Sequence, residues 1–245
     1  MRKKLLHFQW GRDAAEGLIC GGLMVVLSCA MNLFPDSVLA ALLFRDVLMI
    51  FALGFLFPLY RVLIREKQGL SVLGIRREKW KRSLLLNVIL ASALWIVFSQ
   101  SSTSAVCFTK ESFYAITYIF AAGIFEMLFI YGFLRDRFER AFGVIPAILL
   151  TAAFYSLHHA GFQPEFAKLF FVGLLYTGVF YLTKNILVIF PFFWGVGAVW
   201  DVLINSPAGA GIMNINSFLI AICLLAGMAV SSVMFYRVYR RRCNR

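Results

Sequence analysis

Residues 123–159 read GIFEMLFIYGFLRDRFERAFGVIPAILLTAAFYSLHH, two apolar runs parted by a charged patch. The first run carries a carboxylate, Glu126, and the second ends in two imidazoles, His158 and His159. Ionisable groups in segments apolar enough for lipid are costly there and mark a functional site by default. If both runs are helices joined near Phe142 to Pro146, Glu126 lies about 24 Å and His158 about 18 Å from the joint at 1.5 Å of rise per residue. Antiparallel neighbours of this kind bring the acid and the imidazole to similar depths.

Outward from that stretch, the whole chain is of the same kind. Of its 245 residues, 61% are apolar and only 15% charged, against about 45–50% apolar in soluble domains, and the mean hydropathy is +0.81. The expected fold is all-α, a polytopic transmembrane helical bundle with room for about eight spans of ~20 residues. The apolar runs place them near 14–34, 38–64, 84–98, 114–134, 145–159, 169–182, 186–204 and 218–236. The first run is too long for a signal-peptide core and has no clear cleavage site, so it reads as a retained span. Three regions follow: N-terminal spans over 1–112, with a basic interfacial segment at 61–82; a motif-bearing core over 113–204; and a last span with a basic tail over 205–245. In the basic segment, Leu70, Val72, Leu73, Ile75 and Trp80 give an amphipathic pattern suited to the bilayer interface.

A net charge of +12 raises the question of nucleic acid, but the positions of the 24 Lys and Arg residues answer it. Alternate connections and both termini hold 21 of them, the opposite connections hold only Lys110 and Lys168, and Arg45 sits inside a span. That asymmetry is the positive-inside pattern with both termini cytoplasmic. Basic loops beside anionic lipid need no other partner, so the lipid bilayer is the expected one and nucleic acid is not. The cysteines are scattered without a C-x-x-C pair and read as small packing residues.

Other charges have plainer readings. Arg45 and Asp46 are adjacent, do not face each other on a regular helix, and are expected to pair with other spans or lie near the surface. RDRFER at 135–140 reads as a solvated helical continuation whose Phe138 meets the membrane. His159, next to a loop, reads as interfacial, and Gly173 and Gly178 as close-packing residues. Glu126 itself has two readings: a structural carboxylate bonded to Tyr131 or His158, or a general base that polarises water with a facing histidine, with or without a metal.

Two motifs bear on that choice. Glu126-Met127-Leu128-Phe129-Ile130-Tyr131-Gly132 resembles the Glu-Glu-x-x-x-Arg-Gly motif of the CPBP family of intramembrane proteases, and Phe154-Tyr155-Ser156-Leu157-His158 resembles its Phe-x-x-x-His motif. That family includes CAAX prenyl endopeptidases and bacterial proteins of bacteriocin processing or self-immunity. Met127 and Tyr131 stand where the family has Glu and Arg. Thr183-Lys184-Asn185-Ile186 resembles the turn before the third motif, whose His is replaced by Gly197 and whose last member is Asp201.

The resemblance implies an intramembrane endopeptidase in a multi-pass bacterial cell membrane, acting on a peptide or membrane-protein substrate near the cytoplasmic leaflet. Glu126 is then the general base, His158 its partner and Asp201 the third member. No cofactor is required, and Glu126 with His158 would be the ligands of a divalent metal such as zinc. The missing histidine removes an oxyanion donor worth about 3–4 kcal/mol. It keeps open the alternative of a catalytically impaired member acting as a scaffold, regulator or self-immunity protein.

Overall fold

A computed structural model of the chain describes residues 5–34, 37–101, 108–159, 161–205 and 211–243. The turn residues Pro35 and Asp36, the stretches 102–107 and 206–210, and Cys107 lie outside the described residues. The protein is a polytopic transmembrane helical bundle. Among the described residues, six helices are long and apolar enough to cross a membrane: α1 (Arg12–Asn32), α2 (Val38–Arg65), α3 (Trp80–Ser101), α4 (Lys110–Phe142), α6 (Phe166–Thr183) and α8 (Ile215–Cys243). Two of the expected spans are shorter helices, α5 (Val144–Leu157) and α7 (Phe192–Ile204). At 14 residues, α5 rises only about 21 Å, less than the ~30 Å hydrocarbon core. Its end therefore lies inside the membrane if its start is at the surface.

The bundle is built around α4, which packs against α1, α2, α5, α7 and α8. By contrast, α3 and α8 are peripheral and turn apolar side chains outward, Leu85, Ile89 and Ile96 on α3 among them. In hydrocarbon these need no cover, since lipid tails are as apolar as they are. The expected joint between α4 and α5 is a single residue, Gly143, whose φ of +91° lies in a region open to glycine. Residues 5–9 cap this hairpin from outside through Ile145 N–H to the Leu5 carbonyl and Gln9 N–H to the Ala141 carbonyl.

RDRFER is not a solvated continuation. Arg135, Asp136, Arg137, Phe138 and Glu139 are all buried, and Phe138 contacts no membrane, being fully covered. The charges of RDRFER pair both within the patch, as Asp136 does with Arg140 at 2.7 Å, and with groups elsewhere in the chain. Arg137 reaches Asp13 at 2.8 Å on α1 and Glu66 at 2.5 Å after α2, with Glu16 at 3.4 Å. Arg135 pairs with Glu139 at 2.6 Å, and the Tyr181 hydroxyl of α6 donates to the same carboxylate at 3.0 Å. Arg61 adds a second cation between Glu16 and Glu66.

The basic segment folds back over this layer. Its Leu73 is fully buried and Arg135 donates to the Val72 carbonyl at 3.1 Å, while Ile75 and Trp80 stay exposed. Buried Asn185 ties the α6–α7 turn to the same segment by donating to the Arg76 carbonyl at 2.8 Å. Gly173 does allow close packing, a Cβ there lying 2.9 Å from Ala152 Cα, whereas Gly178 faces open space.

Removing one member of a buried ion network leaves the others uncompensated, at about 3–5 kcal/mol. Arg137→Met is therefore expected to lower the thermal unfolding midpoint in detergent sharply, while Lys67→Met, at an exposed position, leaves it unchanged.

Candidate active site

Glu126 lies midway along α4, where the helix widens into a π-type turn over Glu126–Leu134. Such widened turns accompany functional positions. His158 is the residue that closes α5. The structure brings the two together, with Glu126 Oε1 at 3.6 Å from His158 Nε2 and both residues buried.

Each is oriented from behind. Trp194 of α7 donates its indole N–H to Glu126 Oε2 at 2.7 Å, which leaves Oε1 facing the imidazole. His158 Nδ1 donates to the Tyr155 carbonyl, so in the neutral imidazole Nε2 presents a lone pair. The Ser28 hydroxyl of α1 donates to the His158 carbonyl and fixes the end of α5. Two acceptors thus face each other across a gap too wide for a direct hydrogen bond. A water, a shared proton or a cation resolves that arrangement.

The gap opens into a cavity of about 430 Å³ lined by residues of α1, α2, α4, α5 and α7, among them Arg45, Tyr118, Tyr155, His159 and Asp201. His159 is more than an interfacial residue. One ligating atom each from Glu126, His158 and His159 lie within 4.8 Å of one another, and His159 Nε2 is buried without a hydrogen-bond partner among the described residues. Zinc held at about 2.1 Å by each of two ligands separates them by roughly 3.4 Å, close to the 3.6 Å found. The donor set suits a divalent cation with three protein ligands.

Arg45 and Asp46 do pair with each other, at 2.9 Å, against the expectation from a regular helix. The arginine side chain is long enough to fold back, and Asp46 also accepts from the Tyr118 hydroxyl of α4, so the pair is anchored to another span as well. Asp201 lines the cavity but is not directed at Glu126. It is held by Lys168 Nζ at 2.5 Å, which also bonds Glu165. Tyr131, in the arginine position of the first motif, is fully buried and bonds neither Glu126 nor any other described group through its hydroxyl. Gly132, the motif glycine, admits the backbone of Leu73, whose carbonyl lies 3.1 Å from where a Cβ would sit. At Gly197 a Cβ would stand 2.5 Å from the Tyr176 hydroxyl, so a phenol fills the room of the missing third-motif histidine.

Residues 108–199 match the family model for type II CAAX prenyl endopeptidase Rce1-like proteins. That Rce1-like segment holds α4, α5, α6 and most of α7, with Glu126, His158, His159 and Trp194 inside it and Asp201 just beyond its end. The resemblance carried by the two motifs holds over these residues. No curated protein and no solved structure matches the chain.

Trp194 was not legible as part of the site, since it belongs to neither motif; only its indole N–H, a donor needing a partner when buried, signals it. Trp194→Phe is expected to leave a buried carboxylate oxygen unsatisfied, at about 1–3 kcal/mol. Gly123→Ala should do the same indirectly, because a Cβ there lies 2.3 Å from the Trp194 ring. Thermal unfolding of both single variants and the double variant checks this: the double should cost less than the two singles together.

Proposed function

We propose that the protein is an intramembrane endopeptidase that hydrolyses a peptide bond with water activated by Glu126 and His158. The observation that carries this is the 3.6 Å gap between two acceptors at the wall of the cavity. A water there donates one hydrogen to Glu126 Oε1 and the other to His158 Nε2, which turns its oxygen lone pair toward a carbonyl carbon. As that oxygen attacks, Glu126 takes the proton and later delivers it to the leaving amine. Trp194 keeps the carboxylate in place through both transfers, and the Tyr155 carbonyl keeps the imidazole in one tautomer. The family match supports an intramembrane CAAX-type protease fold, in keeping with a membrane-embedded peptide substrate.

Where a divalent cation such as zinc is bound, Glu126, His158 and His159 would hold it, and it would lower the pKa of bound water and polarise the carbonyl. Zinc binding by equilibrium dialysis tests the donor set, with His159→Ala expected to weaken it and Tyr131→Phe to leave it intact. A second reading, a relative that binds without cutting, is favoured by Tyr176 standing in the room of the third-motif histidine.

The two readings part in one experiment. The purified protein in detergent is incubated with a peptide library beside Glu126→Gln and His158→Ala. Loss of a general base costs about 10²–10⁴-fold in rate, so cleavage by the wild type and its disappearance in both variants is the expected result. If the wild type cuts nothing and both variants still support its cellular phenotype, the binding reading replaces the protease.

A further inference from the structure

The helix ends sort the connections onto two faces of the bundle. On one lie the start of α1, the end of α2, the start of α3, the α4–α5 joint and the ends of α6 and α8. Contacts between distant segments hold this face together: Arg137 with Asp13 and Glu66, Asn185 with the Arg76 carbonyl, and Arg242 with the Ile64 carbonyl. On the other lie the end of α1, the starts of α2 and α4, the end of α5, the start of α6, the end of α7 and the start of α8. Here too the ends meet, through Ser28 with the His158 carbonyl and Lys168 with Asp201.

The cavity belongs to the second face. Met31 near the end of α1, Gln163 and Glu165 between α5 and α6, Asp201 in the last turns of α7 and Ile212 before α8 all line it. Among the described residues, none from the connections of the first face lines it. Below Glu126, every α4 residue from Met127 to Glu139 is buried, and beneath them lies the ion layer around Arg137. Glu126 is about 24 Å of helix from the α4–α5 joint, and His158 terminates a helix too short to reach the far surface. Glu126, midway along α4, and His158, at the end of α5, thus lie at the foot of an entrance lined by the connections of the second face.

The first face carries the basic belt, and short loops rich in Lys and Arg stay in the cytoplasm. We infer that the cavity opens away from the cytoplasm, and that the substrate is a peptide or membrane-protein segment presented on the extracytoplasmic side. Water and substrate then enter past Glu165 and Asp201, and cleavage products leave to the same side. This replaces the cytoplasmic-leaflet location expected from the sequence. The nature of the substrate rests on the protease reading, whereas the direction of the entrance does not.

Membrane-impermeant maleimide labelling tests the direction. In a variant with the natural cysteines replaced, Phe162→Cys, in the exposed α5–α6 loop, and Met31→Cys, on the cavity wall, should label in intact cells. Lys67→Cys on the basic face should label only in inverted vesicles. The reverse pattern overturns the inference. In sealed proteoliposomes sorted by the same labels, a peptide cut by the wild type should be cut only when added on the side that labels Phe162→Cys. Cutting only from the opposite side also overturns it. Labelling as expected with no cutting from either side removes the protease reading and upholds the direction.

Discussion

A carboxylate in the middle of an apolar bundle has to be met by donors, and for Glu126 the fixed one is the indole N–H of Trp194. That single hydrogen bond joins α4 to α7. It needs the close approach that Gly123 permits, and it needs α7 to begin deep enough for its first turns to stand beside the middle of α4. Because one oxygen is held, the other has a defined direction, toward His158. The imidazole is fixed in turn by the last turn of α5 and by Ser28. The geometry of the pair is thus set by helices on three sides and not by the pair's own attraction.

The protein handles its polar groups in two opposite ways. Beneath the exposed basic face, the charges around Arg137 are buried and packed against one another, with Arg137 shared among three carboxylates. Such a layer holds α1, α2, α4 and the folded-back basic segment in register. On the other face, polar groups line a cavity instead of filling it, with Arg45 paired to Asp46 and Lys168 to Glu165 and Asp201.

Much of this was legible in the residues. Glu126 and His158 stood out because such groups are conspicuous in apolar runs, and the estimate of similar depths from the α4–α5 joint needed only the helical rise. The helical class and the approximate places of the apolar helices followed from hydropathy alone. What was not legible depended on partners distant in sequence. RDRFER is hydrophilic in any window, and its burial is decided by Asp13, Glu16, Glu66 and Tyr181, each some 40 to 120 residues away. The Arg45–Asp46 contact was missed because helical spacing rules treat side chains as short and regular. His159 looked peripheral because α5 was read as reaching the surface, whereas it stops short and leaves both imidazoles within the bundle.

The relation between Gly197 and Tyr176 has a consequence for substitution. With the phenol hydroxyl 2.5 Å from where a Cβ at 197 would sit, any larger side chain there has to displace the far end of that ring. The ring packs against Tyr131, Tyr155 and Phe193, so the displacement passes into an aromatic cluster, and glycine at 197 and tyrosine at 176 are coupled choices.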